Sequence, residues 1–194
     1  DNVSATFAKQ GGVFKLITHT DIAHQDVHFE PSPALSTWGP GIAYSRLLKF
    51  RTGREIALPN LDVMCDLCAS WRSEDLITFE FQIREGVRWH DDSLVGRRTL
   101  TADDVLYSLT RQLTGANGGL LGSIEDIESS DRNTLIIRLA YPDADFLLGL
   151  ADSRSKIVAS EVVDVSGDLK NGPTIGTGPW RITATGSVGV HAFE

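Results

Sequence analysis

Long apolar runs are missing from these 194 residues: none approaches the roughly 20 that a membrane-spanning helix needs. Basic charge is also scarce, with 18 Lys and Arg against 26 Asp and Glu, a net charge of −8. Neutralising phosphates takes clustered cations, and the only local cluster is Arg97-Arg98, so nucleic acid is not expected as a partner. The acidic balance is compatible with a cationic or neutral ligand, and equally with an ordinary solvated surface. The opening residues, Asp1 to Gln10, lack the basic-then-apolar pattern of a secretory signal, so an exported protein would be in its mature form here. There is no G-x-S-x-G, and nothing points to a Cys-His pair or a Ser-His-Asp triad. Gly176-Thr177-Gly178-Pro179 lacks the Lys-Ser/Thr of a P-loop, and Pro179 removes an N–H donor, so a tight turn into a strand is expected. Internal repeats and low-complexity tracts are absent. No catalytic residue and no cofactor are expected, and the chain does not read as an enzyme.

Cysteine is limited to Cys65 and Cys68, spaced C-x-x-C. A local disulfide suits an extracytoplasmic protein and would tie down the loop before Trp71. A redox pair would want its first cysteine at a helix start, which Met64 and Asp66-Leu67 do not signal, and Asp66 would disfavour a thiolate. Half a zinc site lacks a second ligand pair. The disulfide is the expectation; free thiols and metal or redox chemistry are the alternatives.

Hydrophobic periodicity supplies the elements that are there. Residues 12–19 read as a first strand carrying Val13, Leu16 and Ile17, followed by a loop over 20–36. The second half of 34–50 reads as helix, with Ile42, Ala43, Leu47 and Leu48 on one face after the irregular Gly39-Pro40-Gly41. A hairpin spans 69–89, where Phe79, Phe81 and Ile83 alternate with Glu80, Gln82 and Arg84. Its aromatics are expected in packing. Thr101 is a good N-cap for a helix with Val105, Leu106, Leu109 and Leu113 in one stripe. Residues 129–133 read as a turn, 134–139 as a strand, and a short helix follows Pro142; Ile157-Val158 and 175–182 offer more strand. Strands and helices without a regular βαβ rhythm predict an α/β chain of mixed, irregular α+β layers.

Two polar segments merit weighing. In a strand, His24, Asp26 and His28 would share a face and could converge on zinc, nickel or copper. Pro31 and Pro33 follow at once, so a solvated loop is the stronger reading and metal there a weak candidate. His90-Asp91-Asp92 reads as a turn tip with Asp91 capping backbone amides.

The run Phe79 to Asp92, then Leu100-Thr101-Ala102-Asp103-Asp104-Val105, resembles the "REGVKFHDG … TAEDV" signature of the family 5 extracellular solute-binding proteins. These are the peptide, oligopeptide and nickel receptors of ABC importers. Shorter similarities occur in the right order: Gly11-Gly12-Val13-Phe14-Lys15-Leu16 to the first strand, Leu67-Cys68-Ala69-Ser70-Trp71 to "LAESW", Tyr107-Ser108-Leu109-Thr110-Arg111 to "FSLER", and Ile175-Gly176-Thr177-Gly178-Pro179-Trp180 to "VGTGPY".

The resemblance implies a type II periplasmic-binding-protein-like fold, of which this chain is part of lobe I. Residues 1–50 and 175–194 would form the core-sheet part, 51–174 an inserted α+β subdomain, with the second lobe absent. Function would be non-catalytic capture of a small peptide or other small solute between lobes that close by hinge motion, with delivery to ABC transporter membrane subunits. A peptide would be held through its main chain, as in strand addition. The implied ligand-facing residues are Thr20, Asp21, Ile22, Ala23 and His24 in one loop and Gly118, Gly119, Leu120 and Leu121 in another. Localisation would be periplasmic or extracellular, with lipoprotein anchoring open.

Three departures from the family pattern stand out: the longer connection over 92–100, the C-x-x-C pair, and an end at Glu194 where the family enters its second lobe. They leave an alternative, a truncated module acting as a structural or interaction subunit with a protein partner at the missing-lobe face.

Overall fold

The alternation of Phe79, Phe81 and Ile83 produces the strand around which the chain is organised. The structure, a computed structural model, describes residue 13 and residues 15–57, 59–185 and 190–194. Strand β1 (Leu48–Phe50) pairs antiparallel with β2 (Val63–Cys65). Strands β3 (Cys68–Arg72) and β4 (Thr78–Ile83) form the predicted hairpin. Helix α1 (Ala102–Leu113) leads to β5 (Ile124–Asp131) and β6 (Thr134–Leu139), completing an antiparallel sheet of order β3-β4-β6-β5. Helices α2 (Phe146–Ala151) and α3 (Ser160–Ser166) follow, and β7 (Ile182–Thr185) pairs with β8 (His191–Phe193).

Register explains the core. Phe81 stands opposite Trp71 on one side and Leu135 on the other, and Phe79 opposite Ile137. All point to the face that α1 covers with Val105 and Leu109, both fully buried. Phe146 of α2 closes the core against Phe79, ring centroids 4.8 Å apart. Helix α1 starts where expected: the Asp104 carboxylate accepts the Thr101 backbone N–H at 2.8 Å, a reciprocal cap.

Several expectations change. Residues 15–18 form no strand and take part in no ladder among the described residues; Gly12 and Phe14 of that predicted strand lie outside them. The helix expected in the second half of 34–50 is absent. A π-helical turn (Ala34–Trp38) and a 3-10 turn (Pro40–Ala43) precede β1, because Gly39-Pro40-Gly41 breaks the first and pairing with β2 captures Leu48. Ser129, Ser130 and Asp131 belong to β5, so the turn is confined to Arg132-Asn133. Ile157-Val158 forms no strand beyond the single bridge Arg46↔Lys156, residues 175–181 form none, and helix α3 had no periodic signal strong enough to foresee it. Asp92, not Asp91, caps a backbone amide at the hairpin tip, that of Leu94, while Asp91 pairs with Arg97.

The long 92–100 connection folds back on the core. Val95 is buried, and Arg98 lies over the Trp89 ring while donating to both Asp104 and Glu161, joining α1 to α3. At Gly176 and Gly178 a Cβ would collide with the Ala43 carbonyl, which accepts the Gly178 N–H at 2.8 Å. His90 locks that passage, accepting the Gly176 N–H on Nδ1 and bonding the Gly178 carbonyl through Nε2 at 2.8 Å. Burial, reinforced by the nearby Arg181 charge, holds His90 below the usual histidine range.

Candidate functional site

The 20–24 loop is an irregular segment whose side chains are largely engaged. Asp21 accepts its neighbour Ile22's N–H at 2.8 Å and meets His191 Nε2 at 3.0 Å. Ile22 lies over Gly39, where any Cβ would collide with it. His24 accepts the Asp26 backbone N–H on Nδ1 at 3.2 Å and packs edge-on against Phe29, centroids 5.2 Å apart. Lys170 Nζ sits over the other residue of that pair, 3.3 Å from the Phe29 centroid. Thr20 lines an open recess of about 390 Å³ together with Leu16, His19, Pro33 and Trp38.

The second loop, the 3-10 turn Gly118–Leu121, divides between core and surface. Leu121 is fully buried, and Gly118 is buried where a Cβ would strike the Leu113 carbonyl. Only Gly119 and Leu120 reach a recess, of about 370 Å³, with Phe50, Leu148 and Asp152. The two loops therefore line separate recesses.

His24, Asp26 and His28 do not converge as a ligand set. The segment bends, with the Phe29 N–H donating to the Asp26 carbonyl, so the shared face of a strand never forms. Asp26 instead receives Arg111 of α1 in a bidentate pair, Nη1 to Oδ1 at 3.0 Å and Nη2 to Oδ2 at 2.5 Å, and also accepts the His28 N–H. His28 Nε2 meets the Lys156 carbonyl at 2.8 Å, with its Nδ1 buried and unpartnered. Among the described residues no group of His, Cys, Asp or Glu is arranged to hold a metal ion.

Charge and burial work against each other here. Burial opposes ionisation of Asp26, yet the Arg111 guanidinium prevails and holds the carboxyl below its ordinary value. Burial, reinforced by Arg111, pushes His28 down to about 4, so it is neutral. Lys156, 6% exposed, is pushed down to about 7 by burial and then by Arg46. Arg46 donates to the Ala151 carbonyl at the C-terminal end of α2, a favourable place for a cation. None of these partnerships had a local signal: Asp26 and Arg111 lie 85 positions apart. The polar positions Ser108, Arg111 and Gln112 beside the apolar stripe of α1 were the only available hint.

Cys65 and Cys68 form a disulfide joining the end of β2 to the start of β3.

The family described as bacterial extracellular solute-binding proteins, family 5 Middle, matches residues 62–188, about two thirds of the chain. This chain belongs to that family. It is 32% identical to the dipeptide-binding protein of Escherichia coli (strain K12) over 163 residues, covering 72% of this chain and 29% of that protein. Among solved structures, HbpA2 from Haemophilus parasuis superposes with a TM-score of 0.76 at 24% identity, covering 90% of this chain and 38% of the other. The dipeptide binding protein from Pseudoalteromonas sp. SM9913, in complex with Met-Leu, gives 0.76 at 16% identity, covering 91% and 38%. At those identities the likeness establishes the fold, a type II periplasmic-binding-protein lobe. The chain spans about a third of the length of the relatives it matches. Among the described residues no helix is long and apolar enough to cross a membrane.

Proposed function

We propose that this chain is the lobe I portion of an extracytoplasmic solute-binding protein that captures a peptide-like ligand for an ABC importer, without making or breaking bonds. The observation that carries this is the 32% identity, over 72% of the chain, to a protein named for binding dipeptides. Recognition of a ligand main chain is supported by residues 15–18, which join no ladder among the described residues and of which Leu16, Ile17 and Thr18 line the same recess as Thr20. Residues 20–24, of which Thr20 lines the first recess, and the accessible Gly119 and Leu120, which line the second, are the ligand-facing candidates. We assign residues 1–50 and 175–194 to the core-sheet part and 51–174 to the inserted subdomain, which would hold the four-stranded sheet and helices α1, α2 and α3; β1 and β2 straddle the boundary. The disulfide fits a periplasmic or extracellular location, lipid-anchored or free.

Calorimetric titration of the protein made from its full native reading frame, with alanyl-alanine and trialanine, tests this. Saturable binding at micromolar or lower concentration is expected; absence of heat with both peptides overturns the peptide assignment. One observation favours the alternative of a partner-binding module: Ile17 is 94% and Val13 86% exposed, an uncovered apolar edge. Native mass spectrometry from the source separates the two, a longer polypeptide supporting the receptor and a stable complex of a 194-residue chain supporting the module.

A further inference from the structure

Arg111 lies on α1, outside the 20–24 loop, yet its guanidinium is committed entirely to one carboxylate within that region. Both Asp26 oxygens accept from it, and the carboxylate is almost sealed from water, the Asp26 side chain being 3% and that of Arg111 20% exposed. A carboxylate gripped by two parallel N–H bonds has a fixed plane as well as a fixed position. Asp26 Oδ1 also accepts the His28 N–H, so the backbone around Asp26 is held from two directions. One consequence reaches the loop. The Asp26 N–H, oriented by this clamp, donates to His24 Nδ1.

A neutral imidazole that accepts on Nδ1 must carry its proton on Nε2. His24 Nε2 has no partner among the described residues and is not sealed inside the protein. The ring plane is set by the edge-on contact with Phe29, which Lys170 covers in turn. His24 is thus the member of the 20–24 loop with an oriented, unused N–H donor. Asp21 and Ile22, by contrast, are already occupied by His191 and Gly39.

We propose that Arg111 is a positioning residue for His24: clamping the Asp26 carboxylate fixes the amide that holds His24 Nδ1, so that His24 presents Nε2–H to a carbonyl or carboxylate oxygen of the bound peptide. This rests on the assignment of residues 20–24 to the ligand face. Arg111 touches no ligand atom in this scheme. Lysine at position 111 would keep the charge but lose the planar fork, leaving the Asp26 backbone and the His24 ring less constrained.

The test uses the full-length protein, with two readouts: the His24 ring tautomer by nitrogen-15 NMR, and the affinity for alanyl-alanine by calorimetry. In the wild type the ring is the Nε2–H tautomer. Arg111→Lys is expected to mix the tautomers and weaken binding about tenfold. His24→Phe, which keeps the ring stack but has no donor, should weaken binding by a similar factor, and His24→Gln, which restores an N–H, should recover most of it. Adding Arg111→Lys to His24→Phe should cost nothing further, since both act through one hydrogen bond. An unchanged tautomer in Arg111→Lys, or additive losses in the double variant, overturns the positioning role. If the wild type binds peptide and His24→Phe binds equally well, His24 is no ligand donor and the proposal fails while peptide capture stands. If the wild type binds neither alanyl-alanine nor trialanine, the peptide assignment fails, and the tautomer alone still decides whether Arg111 orients the ring.

Discussion

Phe81 and Asp26 are both nearly inaccessible, 0% and 2% exposed, but they are buried by opposite means. Phe81 sits between Trp71 and Leu135 in a sheet whose stabilisation is spread over many weak apolar contacts. Asp26 is tolerated only because Arg111 meets it, since an unpaired carboxylate in that place would be prohibitively costly. Loss in the first region should therefore scale with the volume removed. In the second it should depend on whether a charge is left alone.

Truncation draws that contrast most strongly. Arg111→Ala strands Asp26 and is expected to cost about 3–5 kcal/mol in urea unfolding. Replacing both partners, Asp26→Leu with Arg111→Met, should recover most of that loss because no buried charge remains. In the sheet Phe81→Ala should also cost about 3–5 kcal/mol, but adding Phe79→Ala should deepen the loss, not relieve it. A double Asp26/Arg111 variant as unstable as Arg111→Ala would show the 20–30 region to be held by packing after all.

The next largest expected effect is confined to the ionic region and appears with pH. His28 titrates near 4 when folded and near 6.5 when unfolded, so between those values the unfolded chain binds more protons. Its contribution is complete above pH 6.5 and is lost as pH falls through 4, on the order of 3 kcal/mol. Asp26, depressed by Arg111, acts in the same direction at still lower pH. His28→Gln keeps a donor for the Lys156 carbonyl without titrating, and should flatten the stability curve between pH 6.5 and 4. A curve unchanged by His28→Gln would place the acid sensitivity elsewhere.

The same contrast explains what was legible beforehand. Alternation at Phe79, Phe81 and Ile83, the stripe Val105 and Leu109, and the cap at Thr101 are local patterns with a single interpretation, and the sheet and α1 follow from them. Leu47 and Leu48 read locally as one face of a helix; instead Leu48 pairs in β1 with Cys65 of β2, 17 positions further on, Leu47 stands just before the strand, and both are buried. At the candidate site the loop was named from the resemblance alone, and Arg111, Lys156 and Lys170 had no signal, because each acts on residues far away in sequence. His28 looked like a solvated loop histidine and is instead 1% exposed.

The smallest effect lies at the sheet's own edge, where a local rule is broken. Leu76, in the turn between β3 and β4, has φ of 59° and is 66% exposed. The turn is built by its neighbours: Ser73 Oγ accepts the Leu76 N–H, and Asp75 Oδ1 accepts those of Ile77 and Thr78. Those bonds impose the left-handed conformation, which costs a leucine roughly 1–2 kcal/mol and an asparagine much less. Leu76→Asn should therefore raise stability by about 0.5 kcal/mol, read as a higher thermal midpoint. Leu76→Gly should gain less, because the unfolded chain also becomes freer. If Leu76→Asn instead lowers the midpoint, the exposed leucine contributes contacts that outweigh its strain, and the sheet end would share with the ionic region a dependence on one side chain.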